Sequence, residues 1–152
     1  MTLATTWIAH TQTLLQSYRR LLGRDLIARS GDAREETQRL YAAPFVVLSH
    51  GLQADPILNY GNQAALDLWE VTTEQLLALP SRLTAEPANR EARERFLEKT
   101  KQKGFVTGYR GIRISATGRR FEIENATIWN LADPTGAPLG QAATFSSWTR
   151  IS

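Results

Sequence analysis

Two four-residue reversals late in the sequence, "SATG" at 115–118 and "DPTG" at 133–136, constrain this chain more than any other feature. Each combines the Gly, Pro, Asp and Ser residues that fold a backbone back on itself. Each also separates segments rich in β-branched and aromatic residues. Phe105–Ile114, Arg119–Leu131 and Leu139–Thr149 are therefore predicted to form a three-stranded antiparallel meander. Side chains alternate across a strand. That puts Phe121, Ile123, Asn125, Thr127, Trp129 and Leu131 on one face of the middle strand, and Leu139, Gln141, Ala143 and Phe145 on one face of the last.

The preceding segments have a different period. Trp7/Ile8, Thr11, Leu14/Leu15, Tyr18 and Leu21/Leu22 recur at helical spacing. This stripe serves to cover the chain's own sheet, to form the seam of a homodimer through Trp7, Leu14, Tyr18 and Leu21, or to do both. His10 falls on its polar side and is expected in solvent. "GDAREETQRLY" adds a short helix from Asp32 to Tyr41, with an aspartate cap. "PFVVLSH" (44–50) reads as a buried strand, and "ILNY" (57–60) as its hairpin partner across "GLQADP". Asn62 then caps a helix through Trp69, and Thr72 with Gln75 has capping-box spacing. Pro87 opens a longer helix with a narrow stripe of Ala88, Ala92 and Phe96, ended by Gly104.

If the first strand pairs with the last, these pieces make one five-stranded antiparallel sheet. Helices lie over one face, with an extra helical segment at the N-terminal end, an α+β arrangement. The division falls between a helical segment, 1–43, and a sheet-containing domain, 44–152.

The 18 Lys and Arg against 15 Asp and Glu give a net charge of +3, scattered without a run longer than a pair. No nucleic-acid partner is expected from such a pattern. The absence of cysteine excludes disulfides, thiolate metal sites, a cysteine nucleophile and cysteinyl cofactor adducts. No signal-peptide pattern and no membrane-length apolar run occur, so a soluble cytoplasmic protein is expected.

"SYRRLLGRDLI", "LYAAPFVVLSHGLQADPILNYGNQAALDLWE", "LPSRLTAEP", "GYRGIRISATGRRF", "ATIWNL" and "GQAATFSSW" together resemble the MEKHLA domain family. This PAS-like group includes stand-alone bacterial proteins and the C-terminal part of plant class III homeodomain–leucine-zipper factors. The resemblance implies a PAS-like sheet and a sensory or interaction role, through a bound small molecule or a partner. The Met-Glu-Lys-His-Leu-Ala string that names the family is absent here, and without cysteine no thiol-based redox sensing can operate.

A ligand site would lie where the sheet curves around its helical insert. Tyr60, Trp69, Tyr109, Arg113, Asn125, Trp129, Gln141 and His50 are the candidate lining residues. Asn125 and Gln141 satisfy each other, the helices, or a bound molecule. Arg113 would neutralise an anionic group, provided that no bulge in "GYRGIR" separates it from Tyr109. A flavin held without a covalent bond is compatible with aromatic and amide residues. Haem is disfavoured, because no histidine lies between Trp69 and Gly104.

Catalytic templates match poorly. Ser49 and His50 are adjacent on a strand and point apart, no nucleophile elbow or phosphate loop occurs, and the two histidines sit in unrelated elements, so no metal site is expected. His50 is open to two readings: a plain hydrogen-bonded histidine at a strand end, or a general base oriented by Asp55 in a small α+β enzyme. A sensory binding module is the leading reading, and an interaction domain with a filled core is a further alternative.

Overall fold

In the computed structural model, which describes residues 7–151, the helical period of the first third forms α1 (Ile8–Leu22) and α2 (Ala33–Tyr41). There follow β1 (Val46–His50), β2 (Leu58–Gly61), α3 (Gln63–Trp69), α4 (Thr73–Leu76), a 3-10 turn (Ser81–Thr84) and α5 (Pro87–Lys103). The chain ends in β3 (Phe105–Ile114), β4 (Arg120–Ala132), β5 (Pro138–Phe145) and β6 (Ser147–Ile151). The expected caps form. The Asp32 carboxylate accepts the Arg34 and Glu35 N–H groups, and Thr72 and Gln75 close a reciprocal box. Among the described residues, no helix is long and apolar enough to cross a membrane.

The strands form one antiparallel sheet in the order β2-β1-β5-β4-β3, with β6 also on β4. The predicted closure is present: Val46 pairs with Phe145 and His50 with Gln141. Six strands replace the predicted five because the last one is interrupted. β5 and β6 keep a single register against β4, with Thr144 opposite Thr127 and Ser147 opposite Glu124. The break falls at Ser146, across from Asn125, whose φ of 51° puts it in the left-handed region.

Asn125 also overturns the predicted faces of β4. Between Val106 and Tyr109, β3 gains one residue on its partner, at Gly108 with a φ of 70°. Between Tyr109 and Gly111, β4 gains it back, at Asn125. The two bulges cancel in register, but each reverses the side-chain alternation of its own strand. Phe121 and Ile123 consequently share a face with Ala126 and Ile128, whereas Trp129 and Leu131 lie on the opposite one. Asn125 itself is exposed.

Both faces of the sheet are covered. The helical insert packs on Val46, Trp69, Tyr109, Phe121, Ile128 and Phe145. The N-terminal helices pack on Val47, Tyr60, Trp129 and Leu131. Leu14 is 0% exposed there, and Tyr18 meets Trp129 edge-to-face at 5.0 Å. Trp7 donates its indole N–H to the Asn59 carbonyl at 3.1 Å. Trp7, Leu14 and Tyr18 are therefore buried against the chain's own sheet, while Leu21 is half-buried at the end of the stripe. His10 is likewise not in bulk solvent. It lies 2.9 Å from the Ser49 hydroxyl and stacks on Tyr60, and burial lowers its pKa to about 4.

Asn62 does more than cap α3. Its Oδ1 accepts the N–H groups of Val47 and Ala65, and its Nδ2 donates to the Leu40 and Phe45 carbonyls. All four hydrogen bonds an amide can make are made, with the residue 0% exposed.

Leu14→Ala should cost about 2–5 kcal/mol in urea melts, and Leu14→Asp should leave no cooperative transition. Asn62→Ala should cost about 2–4 kcal/mol, from a lost cap and orphaned backbone groups. Acid should act in two windows. Folded His10 titrates near 4 against 6.5 for a free imidazole, so the unfolded chain takes up that proton first. Stability then falls as pH drops from about 6.5 toward 4, a limb that His10→Gln should flatten. Glu36, held down to about 2 by the Arg29 guanidinium at 2.8 Å, adds a loss as pH falls from 4.5 through 2.

Candidate functional site

Where β1, β3, β4 and β5 face the insert, the side chains do not fill the space completely. A cavity of about 50 Å³ remains among His50, Trp69, Arg93, Tyr109, Arg113 and Gln141, with an apolar wall that includes Ile128 and Phe145. Each polar side chain reaches it for a local reason. The β3 bulge falls at Gly108, ahead of Tyr109, so Tyr109 and Arg113 remain on one face. Arg113 donates to the Tyr109 hydroxyl at 2.9 Å and to the Ile112 carbonyl at 2.9 Å, its guanidinium 5.4 Å from the Tyr109 ring. Gly111 lies between them. A Cβ there would run into the Tyr109 hydroxyl, so only glycine permits this pair.

Arg93 comes from α5 and is 5% exposed. It donates to the Ser81 hydroxyl and, at 2.8 Å, to the carboxylate of Glu94. Burial, reinforced by the charge of Arg113, lowers its pKa to about 10. His50 is 8% exposed, with Nδ1 3.1 Å from the Gly51 carbonyl. A carbonyl only accepts, so the proton belongs on Nδ1 and Nε2 is an acceptor. Among the described residues, Nε2 has no partner, and neither has the indole N–H of Trp69. Burial pushes the His50 pKa down, which keeps the imidazole neutral. Gln141 donates to the Leu97 carbonyl at 2.9 Å and to Asn130 Oδ1 at 3.1 Å.

His50 and Gln141 also line a second, open groove of about 800 Å³, bounded by the β1–β2 loop, Arg20, Lys101 and Pro138. These two side chains thus stand between the interior and the surface.

Of the residues singled out in the sequence, His50, Trp69, Tyr109, Arg113 and Gln141 come together around the cavity. Tyr60 and Trp129 lie on the opposite face beneath α1, and Asn125 sits outside at the bulge. Gln141 accordingly pairs with Asn130 instead of Asn125. His50 and Asp55 do not converge, because Asp55 pairs with Arg82 at 3.2 Å on the surface. Arg93 is the residue that sequence reasoning missed. The buried stripe of α5 is Arg93, Phe96, Leu97 and Thr100, and the expected Ala88 and Ala92 are exposed. The spacing of 93, 96, 97 and 100 is helical and would have pointed to Arg93, had a charge been accepted on a buried face.

The cavity does not suit a flavin. Sites for molecules of that size span roughly 300–1,000 Å³, against about 50 Å³ here between Tyr109 and Phe145.

Comparison with solved structures agrees with the fold. A PAS domain from Colwellia psychrerythraea superposes with a TM-score of 0.64 at 15% identity, over 78% of this chain and 95% of that one. A light-oxygen-voltage domain studied with a flavin analogue gives 0.60 at 17% identity, over 78% and 85%. Among characterised sequences, homeobox-leucine zipper protein ATHB-9 of Arabidopsis thaliana is 28% identical over 131 residues, 86% of this chain and 16% of that protein. HOX32 of Oryza sativa subsp. indica is 26% identical over 146 residues, 94% of this chain and 17% of that protein. The chain thus spans about a sixth of the length of these relatives. The profile of the MEKHLA domain matches residues 8–150. With that match covering nearly the whole chain, and a PAS-like sheet beneath it, the chain belongs to the MEKHLA domain family.

Proposed function

We propose that this chain is a soluble, cytoplasmic sensory or interaction module that works by binding rather than by catalysis. A small molecule occupies the cavity, and the response is a change in how α1 packs on the other side of the sheet. One observation carries this reading: the cavity and α1 share a wall one strand thick. On β4, Ile128 lines the cavity while the next residue, Trp129, carries Tyr18 of α1. On β5, Ala143 faces the insert and Ala142 belongs to the cluster under α1. A shift of either strand is felt on both faces, so occupancy would move a two-state population of α1. The exposed side of α1, which bears Arg19 and Arg20, is the surface offered to a second copy of the chain or another protein. No nucleic-acid partner is proposed, since many arginines face carboxylates, as Arg110 does Glu122 and Glu124.

The small volume of the cavity favours a second reading, an interaction domain with a filled core. Native mass spectrometry of the protein as purified separates the two. The binding reading expects a one-to-one adduct that denaturation releases, with altered amide exchange in α1 once it is gone. A bare-chain mass under native conditions supports the filled domain instead.

A further inference from the structure

A guanidinium removed from water is costly unless an opposite charge meets it. This chain buries two around one small cavity, Arg93 at 5% and Arg113 at 7% exposure. Among the described residues, no carboxylate lines that cavity. The Glu94 carboxylate that meets Arg93 is itself 62% exposed, and the partners of Arg113 are a phenol and a carbonyl, both uncharged. The two cations also repel each other. Three further features point to an occupant: an indole N–H on Trp69 with no acceptor, an imidazole Nε2 on His50 with no donor, and free space. About 50 Å³ holds roughly three to five water-sized spheres, which is the scale of a short-chain acid.

We propose that the cavity binds a short-chain hydroxycarboxylate. Its carboxylate lies between Arg93 and Arg113, with the Trp69 N–H as a further donor, and its hydroxyl donates to His50 Nε2. This deepens the binding-module reading above and rests on it. Guanidinium forks match a carboxylate in charge and in planar geometry. The anion supplies the negative charge that the interior lacks, and the hydroxyl supplies the donor that a bare carboxylate does not have. Entry is from the surface groove past His50 and Gln141, where Arg20 and Lys101 add positive potential beside Glu94.

The test is a titration of the 15N-labelled chain, followed at the Trp69 indole N–H and assigned through Trp69→Phe. Sodium lactate is the probe, with acetate lacking the hydroxyl, lactamide lacking the charge, and sodium chloride at matched ionic strength. The expected result is a saturable shift of that resonance with lactate, a several-fold weaker response to acetate, and none to lactamide or chloride. Arg113→Met should weaken lactate binding roughly ten- to hundredfold without lowering the melting temperature of the free protein, because a like-charge repulsion is relieved. Should Arg113→Met fail to fold, Arg93→Gln is read in the same way. Unchanged lactate affinity with a lowered melting temperature would make the arginines structural and overturn the proposal. An equal response to lactamide, or no response to lactate from a chain that retains a neutral adduct by native mass spectrometry, overturns the anion and leaves the binding module standing. Silence toward every probe together with a bare-chain mass removes both.

Discussion

The antiparallel pairing of β1 with β5 brings Val46 against Phe145 and His50 against Gln141, and the other features of the fold depend on it. Joining segments so far apart in sequence costs loop-closure entropy that local helices avoid. The return comes from both surfaces of β1. Val46 and Leu48 serve the core beneath the insert, and Val47 serves the core beneath α1. Thr144 adds a hydroxyl bond to the Val46 carbonyl at 2.8 Å. Asn62 then fastens the same strand to α2 and α3 through four hydrogen bonds, so that the pairing, the insert and the N-terminal segment are held at one point.

With the sheet closed, its two faces take different chemistry. The face under α1 is sealed by large side chains, with Tyr18 on Trp129 and Trp7 4.6 Å from Tyr60. The face under the insert gathers charge that its apolar walls cannot balance. Two guanidiniums share that interior with a neutral histidine and an amide, and the acidic residues of the neighbouring elements lie outside it. Glu36 shows how the chain treats a buried charge that it does complete. That carboxylate, 1% exposed, receives Arg29, Gln12 and two backbone N–H groups. The contrast with Arg93 and Arg113 is one of pairing, since both kinds of charge are equally withdrawn from water.

Much of the site was legible residue by residue, and the errors have specific causes. Trp69, Tyr109, Arg113 and Gln141 were found because strand alternation and the boundary of α3 hold locally. Trp129 was misplaced by one bulge: strict alternation continued through Asn125, where the backbone turns to a φ of 51° and every later side chain changes sides. Glycines advertise such a break, as Gly108 does, whereas an asparagine within a run of strand formers does not. Arg93 was hidden for another reason. A helix with six cations reads as solvated, and nothing local marks which of them is turned toward the sheet.

The sequence by itself determined the elements and their ends. Caps at Asp32, Asn62 and Thr72, tight reversals at 115–118 and 133–136, and a shift from helical to alternating periodicity are all decided within a few residues of backbone. It also determined that a cysteine-based chemistry is absent. Tertiary structure alone decided which face each side chain serves, that α1 spends its apolar stripe on its own sheet, and that Arg93, Arg113 and His50 share one interior. Those outcomes depend on cancelling bulges in paired strands and on contacts between distant segments. Burial and charge balance are properties of the assembled sheet, and no window of sequence contains them.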